Sequence, residues 1–221
     1  MTSPQQIQTW VYALSQTDLT QVEDAIDGLV NAGSLAVAAL IDALYDGDAI
    51  TCARAIETLG AIGDAQALDP IIGALGDSDA QVVLSAINAL RRLGDVRAVP
   101  ALLPFLRHDD IYVHFYTTLA LSELRHSETV EALLALLHTD DANVRHGCVV
   151  ALGRQGDPRA IQPIIERLDD EDERIRYSAA YALGELAAPG DDTVLAALRL
   201  LLDDDDPNVR KSTKEALEKL V

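Results

Sequence analysis

Asp140-Asp141-Ala142-Asn143-Val144-Arg145, then Val149-Val150-Ala151-Leu152-Gly153, then Gly156-Asp157-Pro158-Arg159-Ala160-Ile161, closing on Pro163-Ile164-Ile165-Glu166-Arg167-Leu168, is the stretch that decides the fold. Val144, Cys148, Ala151 and Leu152 recur at helical spacing and make one buried stripe. Gly156 supplies a left-handed residue after that helix, and Asp157 caps the next one. Ile161, Ile164, Ile165 and Leu168 then give a second apolar stripe. The whole is a helical hairpin of 31 residues that can bury its apolar faces only against similar neighbours.

Outward from this unit the chain supplies those neighbours. Units begin near Ala49, Ala80, Ile111, Ala142 and Glu173, and after a three-residue insertion a half-unit starts at Pro207. A 31-residue period predicts an all-α fold, an α-solenoid of about six to seven hairpins. Small residues recur at Ala55, Ala86, Thr117 and Ala179, and large knobs at Leu59, Leu90, Leu121, Leu183 and Leu217, so the first helices are expected to stack closely. Gly63-Asp64 and Gly94-Asp95 repeat the hairpin corner, while Pro70 and Pro163 fall early in second helices and bend them or delay their start. Residues 1–221 read as one repeat domain: a cap and degenerate repeat over 1–48, five regular repeats over 49–206, and a capping helix over 207–221. In the cap, Ser3-Pro4 reads as a helix start, and Ile7, Trp10, Val11 and Leu14 as its apolar stripe. The last helix carries Lys211, Lys214, Glu215, Glu218 and Lys219, the polar face a terminal repeat needs.

Charge narrows the partners. With 36 acidic against 17 basic residues the formal net charge is −19, which disfavours nucleic acid and anionic membranes. The 49% hydrophobic content suffices for a continuous core, yet no apolar run reaches the about 18 residues of a membrane span. Met1-Thr2-Ser3-Pro4 does not begin a signal peptide, so the expected location is the cytoplasm. The aspartate runs at 77–79, 109–110, 140–141, 169–172 and 203–206 are expected to cap the helices that follow them. Cys148 falls at a small core position and should be inert; Cys52 stands where other units carry Arg145, Arg176 or Arg210 and is expected to be more accessible. The five histidines are followed by Asp, Phe, Ser, Thr and Gly, which makes no metal-binding pair, and no Gly-x-Ser-x-Gly or phosphate loop is present. No catalytic constellation and no permanently bound cofactor are expected.

The aspartate-rich turn with Val-Arg, then Ala-Leu-Gly, then Gly-Asp-Pro-Arg-Ala, seen best at 140–160 and partly at 79–98 and 170–184, resembles the HEAT-like repeats of the phycobilin lyase type. Ala25 to Val30, Ala53 to Ile56 and Ala61 to Asp64 are also similar to early repeats of one subunit of heterodimeric phycobilin lyases. The resemblance implies a right-handed superhelix that handles phycobiliproteins or their bilin, as a lyase subunit or as an assembly or turnover factor. It implies a protein partner, either a phycobiliprotein subunit or a second HEAT-like subunit, and a transiently held bilin. A non-enzymatic scaffold or adaptor for an unrelated protein is the alternative reading.

The resemblance also places the Val-Arg helix on the concave face, so positions five and nine of each unit point away from the stack. These are Ala53 and Glu57, Leu84 and Asn88, Phe115 and Leu119, His146 and Val150, Tyr177 and Tyr181, Lys211 and Glu215. The middle of this ladder is apolar or aromatic where solvated positions are normally polar, which marks a partner or ligand site. Arg91, Arg92 and Arg154 stand beside it as a basic island able to pair with carboxylates. The unit at 111–126 departs furthest from the pattern, with Tyr112, His114, Phe115 and Tyr116 at its start, and is expected to carry specific function or to repack an interface.

Overall fold

The computed structural model describes residues 2–221, apart from the side chain of Asp46. Among the described residues every regular element is helical. The helices group into two compact units: one runs through Pro104 and includes Asp110–Ala120, the other holds Phe105–Asp109 and Leu121–Val221.

The first unit opens with α1 (Pro4–Ala13), α2 (Leu19–Ala32) and α3 (Ser34–Asp46). Ser3 Oγ accepts a bond from the Gln6 amide at 3.2 Å, as Ser3-Pro4 predicts. Trp10 lies flat on α2 at Gly28, where an added Cβ would fall 2.4 Å from the indole, so only a glycine admits the ring. Regular hairpins follow: α4 (Ala49–Ile62) with α5 (Leu68–Ala74), then α6 (Ala80–Leu93) with α7 (Val99–Leu102), and α8 (Ile111–Glu123) begins the next. The second unit continues with α9 (Ser127–Leu136), α10 (Ala142–Gln155) with α11 (Ile161–Ile165), α12 (Glu173–Leu186) with α13 (Asp192–Arg199), and α14 (Pro207–Leu220).

First arms and second arms differ for a physical reason. α4, α6, α10, α12 and α14 are continuous helices of 14 residues. Of the second arms, α9 is a single helix of 10 residues and α13 tightens into 3₁₀ only at its end, whereas those of α5, α7 and α11 open on a 3₁₀ turn and the last two also close on one. Pro70, Pro100 and Pro163 lie in these arms, where each lacks an N–H for the ladder. Gly63, Gly94 and Gly156 end their first arms at φ of 74°, 68° and 77°, as the glycine spacing predicts.

The aspartate runs do two jobs. Asp79, Asp141, Asp172 and Asp206, the last of their runs, cap α6, α10, α12 and α14 through the backbone amides that follow. Earlier members of two runs instead accept an arginine from the preceding first arm. Arg145 Nε and Nη2 donate to Asp170 at 2.9 Å each, and Arg176 Nε and Nη2 donate to Asp204 at 2.8 and 3.1 Å. The same guanidiniums bond backbone carbonyls at the start of their own helices, Arg145 those of Thr139 and Asp140, Arg176 those of Asp170 and Glu171. The expected capping is thus present, and the same runs also supply ties between hairpins.

That seam also corrects the reading of Cys52. Position four of the first arm holds Cys52, Val83, His114 and Arg145, and all four are buried. Burial raises the Cys52 thiol above its ordinary range, with the charge of Asp77 adding to the shift. Cys148 is fully enclosed and its thiol is pushed up to about 12, in keeping with an inert core position.

Candidate functional site

In the second unit α12 buries Ile175, Ser178, Ala179, Ala180, Ala182 and Leu183. Outside, beside the exposed Arg174, lies an i, i+4 stripe, Glu173, Tyr177, Tyr181 and Glu185, with two aromatic rings between two carboxylates. Tyr177 is 41% exposed and Tyr181 50%. From α14, Lys219 Nζ stands 5.3 Å from the Tyr181 ring centroid and pairs with Glu185, which raises the lysine's proton affinity. Ser212 Oγ of α14 donates to the Tyr177 carbonyl at 3.1 Å, fixing the two helices together behind the rings.

Tyr177 also walls a cleft of about 430 Å³ shared with His146, Glu173, Arg174, Ser178, Asp206 and Asn208. Arg174 is committed there. Its Nε and Nη2 grip Asp172 at 3.0 and 2.6 Å, and Nη1 reaches Asn143 Oδ1 at 3.3 Å. That grip, chiefly, holds the Asp172 carboxyl below its ordinary range, with His146 a minor contributor. On α10, His146 and Val150 are half-buried and Arg154 is exposed, its carbonyl accepting from Arg125 Nη2 at 3.1 Å.

In the first unit the ladder residues of α8 divide. Phe115 is 56% exposed, with Ile111 and Tyr112 exposed beside it, and Tyr116 meets Phe115 edge-on at 5.4 Å. Leu119 is half-buried. His114, by contrast, is only 8% exposed, because it occupies the seam position that arginine fills in later hairpins; it is a core residue and not part of a presented face. Ala53 is likewise buried and leaves the ladder. On α6, Leu84 and Asn88 are half-buried, Arg91 Nε donates to Asn88 Oδ1 at 3.3 Å, and Arg92 is exposed. Among the described residues no three His, Cys, Asp or Glu side chains gather as a metal-ligand set, and no helix is long and apolar enough to cross a membrane.

A fold of stacked hairpins with this geometry has relatives. The HEAT-repeat family profile matches residues 37–113 and 99–184. The chain belongs to the HEAT-repeat family. The profile of the PBS lyase HEAT-like repeat matches residues 175–204, the HEAT hairpin that carries Tyr177 and Tyr181. No sequence match is found among curated proteins. An archaeal HEAT-like repeats protein from Thermococcus onnurineus NA1 is similar in structure, 18% identical over 99% of this chain and 97% of that one, with a TM-score of 0.67. Kap95p, solved with RanGDP, is 15% identical over 97% of this chain and 35% of its own, with a TM-score of 0.71. The complex of CpcE and CpcF of phycocyanin lyase from Nostoc sp. PCC7120 is 21% identical over 97% of this chain and 94% of that one, with a TM-score of 0.51. At these identities the likeness is one of fold.

Proposed function

We propose that this HEAT-repeat protein binds a phycobiliprotein subunit, or the bilin carried by one, through the tyrosine stripe of α12 and its flanks, as a lyase subunit or as an assembly or turnover factor. The observation that carries the reading is the pair Tyr177 and Tyr181, exposed one turn apart inside the stretch that matches the PBS lyase HEAT-like repeat. Exposed tyrosines give large, rigid contact area at low entropic cost, and such residues dominate protein interfaces. The similarly folded CpcE and CpcF are a complex of two chains, which supports a second protein as the partner. In the first unit, Arg91 and Arg92 supply cations of the kind that pair with bilin propionates.

Titration against phycobiliprotein subunits with and without bilin tests this. Tyr177→Ala/Tyr181→Ala should weaken binding at least about tenfold, the loss of about 1.4 kcal/mol or more expected for hot-spot aromatics. Arg91→Ala/Arg92→Ala should weaken the pigmented subunit more than the bare one. No binding to either subunit by the wild-type protein would overturn the phycobiliprotein reading. Retention of a different protein by wild type, lost in the tyrosine variant, would leave a non-enzymatic adaptor using the same stripe.

A further inference from the structure

The second unit has a larger concavity that the tyrosine stripe does not use. It is a groove of about 910 Å³ between the second arms of two successive hairpins, α11 with its 3₁₀ extension and α13 with its own. Its floor is apolar: Leu168 and Leu201 are buried, and Leu200 stands 81% exposed beside them. Nothing in the local packing requires a leucine there, since the following Leu201 already fills the core.

The walls above this floor are anionic. Seven carboxylates and a single arginine line the groove, a large share of the chain's net charge of −19 in one place. Asp204 is spoken for by Arg176, the lining arginine, and Asp170 by Arg145. Glu171 touches Arg145 at 3.3 Å while remaining largely in solvent. Glu166, Asp169, Asp203 and Asp205 make no ion pair among the described residues. These carboxylates are spread along the walls and do not converge as a metal-ligand set, so they match cations spaced along a chain better than one ion.

We propose that this groove docks a basic polypeptide segment of a partner protein, with lysines or arginines against the acidic walls and one apolar side chain seated on Leu200. Charge complementarity selects the occupant: the walls repel nucleic acid and acidic segments and attract a cationic one. The apolar anchor distinguishes docking from bulk attraction, because the floor rewards a hydrophobic side chain that charge alone would not. Arg176 faces the groove and Tyr177 the stripe, and neighbouring residues on a helix point about 100° apart, so the two surfaces are separate. The inference stands whether or not the phycobiliprotein reading does.

The probe is a fluorescent peptide of lysines and arginines around one central leucine, compared by anisotropy at about 0.15 M salt with the same peptide carrying serine at the centre. The leucine peptide should bind at least about fivefold more tightly than the serine peptide. Leu200→Ser should abolish that difference, and Asp203→Asn/Asp205→Asn should weaken both peptides by at least about fivefold. Removing the same charge elsewhere, with Glu23→Gln/Asp24→Asn, should leave binding unchanged, as should Tyr177→Ala/Tyr181→Ala. Leu200 and the two aspartates are exposed, and circular dichroism of each variant checks that the fold is kept. Equal binding of the two peptides, insensitivity to Leu200→Ser, or equal loss from the distant charge removal would each overturn the proposal.

Discussion

The Arg145–Asp170 pair and the Arg97–Asp95 pair look alike in a contact diagram and differ in energy. Both are two-pronged, at 2.9 Å for the first and at 2.7 and 3.1 Å for the second. Arg145 and Asp170 are 7% and 4% exposed at the side chain, whereas Arg97 is 64% exposed. Removing one member of a buried pair strands the other charge, so Asp170→Ala should cost about 3–5 kcal/mol. Arg97→Ala should cost far less, because the guanidinium is exposed and water replaces the bond. Urea midpoints for the two variants decide the matter, and equal small losses would mean that the Arg145 seam is hydrated. Arg145→Met/Asp170→Leu should recover only part of the loss, since Arg145 also satisfies the carbonyls of Thr139 and Asp140.

Helix-to-helix spacing rests on glycine at particular places. An added Cβ at Gly60 would fall 2.8 Å from Ala89, at Gly153 2.6 Å from Ala182, and at Gly184 2.8 Å from Ala216, each time on the next first arm. Glycine to alanine inside a helix normally stabilises by roughly 0.5–1 kcal/mol, but overpacking costs about 1–3, so the second effect wins here. Gly153→Ala should therefore lower the melting temperature, while Gly73→Ala in α5, with nothing within 4 Å, should leave it unchanged or raise it. A rise for both would show that α10 and α12 can separate without loss. Much of this was legible beforehand: the period placed the hairpins, and glycine before aspartate placed their corners, because those residues answer to local backbone geometry. The seam was not legible. An arginine at position four reads as a surface residue, yet its stem is buried and only its head finds partners, so Cys52 and His114 at the same position were read as more open than they are. The exposed rings of Phe115, Tyr177 and Tyr181 were legible, because the orientation implied by the resemblance, together with the helical phase, turns positions five and nine away from the stack.

Across the whole molecule two electrostatic effects oppose each other in acid. Asp48, Asp64, Asp95, Asp157, Asp172 and Asp204 are all held below their ordinary value of 3.8, the first four and Asp172 by hydrogen bonds from nearby side chains and amides, Asp204 by Arg176 first. A carboxyl whose folded value is depressed stabilises the fold above its unfolded value, and that stability is lost as pH falls through the lower folded value. The loss therefore belongs below about pH 3.8. The net charge of −19 acts the other way, because protonating ordinary carboxylates near pH 4 relieves repulsion across the surface. Repulsion between exposed charges is screened within about 8 Å at physiological ionic strength, while bonded caps and buried pairs are screened much less. Thermal melts at low salt should then show stability level or rising from pH 7 to about 4.5 and falling steeply below 3.8. At about 1 M salt the rise should vanish and the fall remain. Asp204→Asn should start less stable at pH 7 and lose less on acidification. A melting temperature that keeps rising to pH 2.5 would mean that self-repulsion, and not the aspartate caps and ties between hairpins, governs the stability of the repeat array.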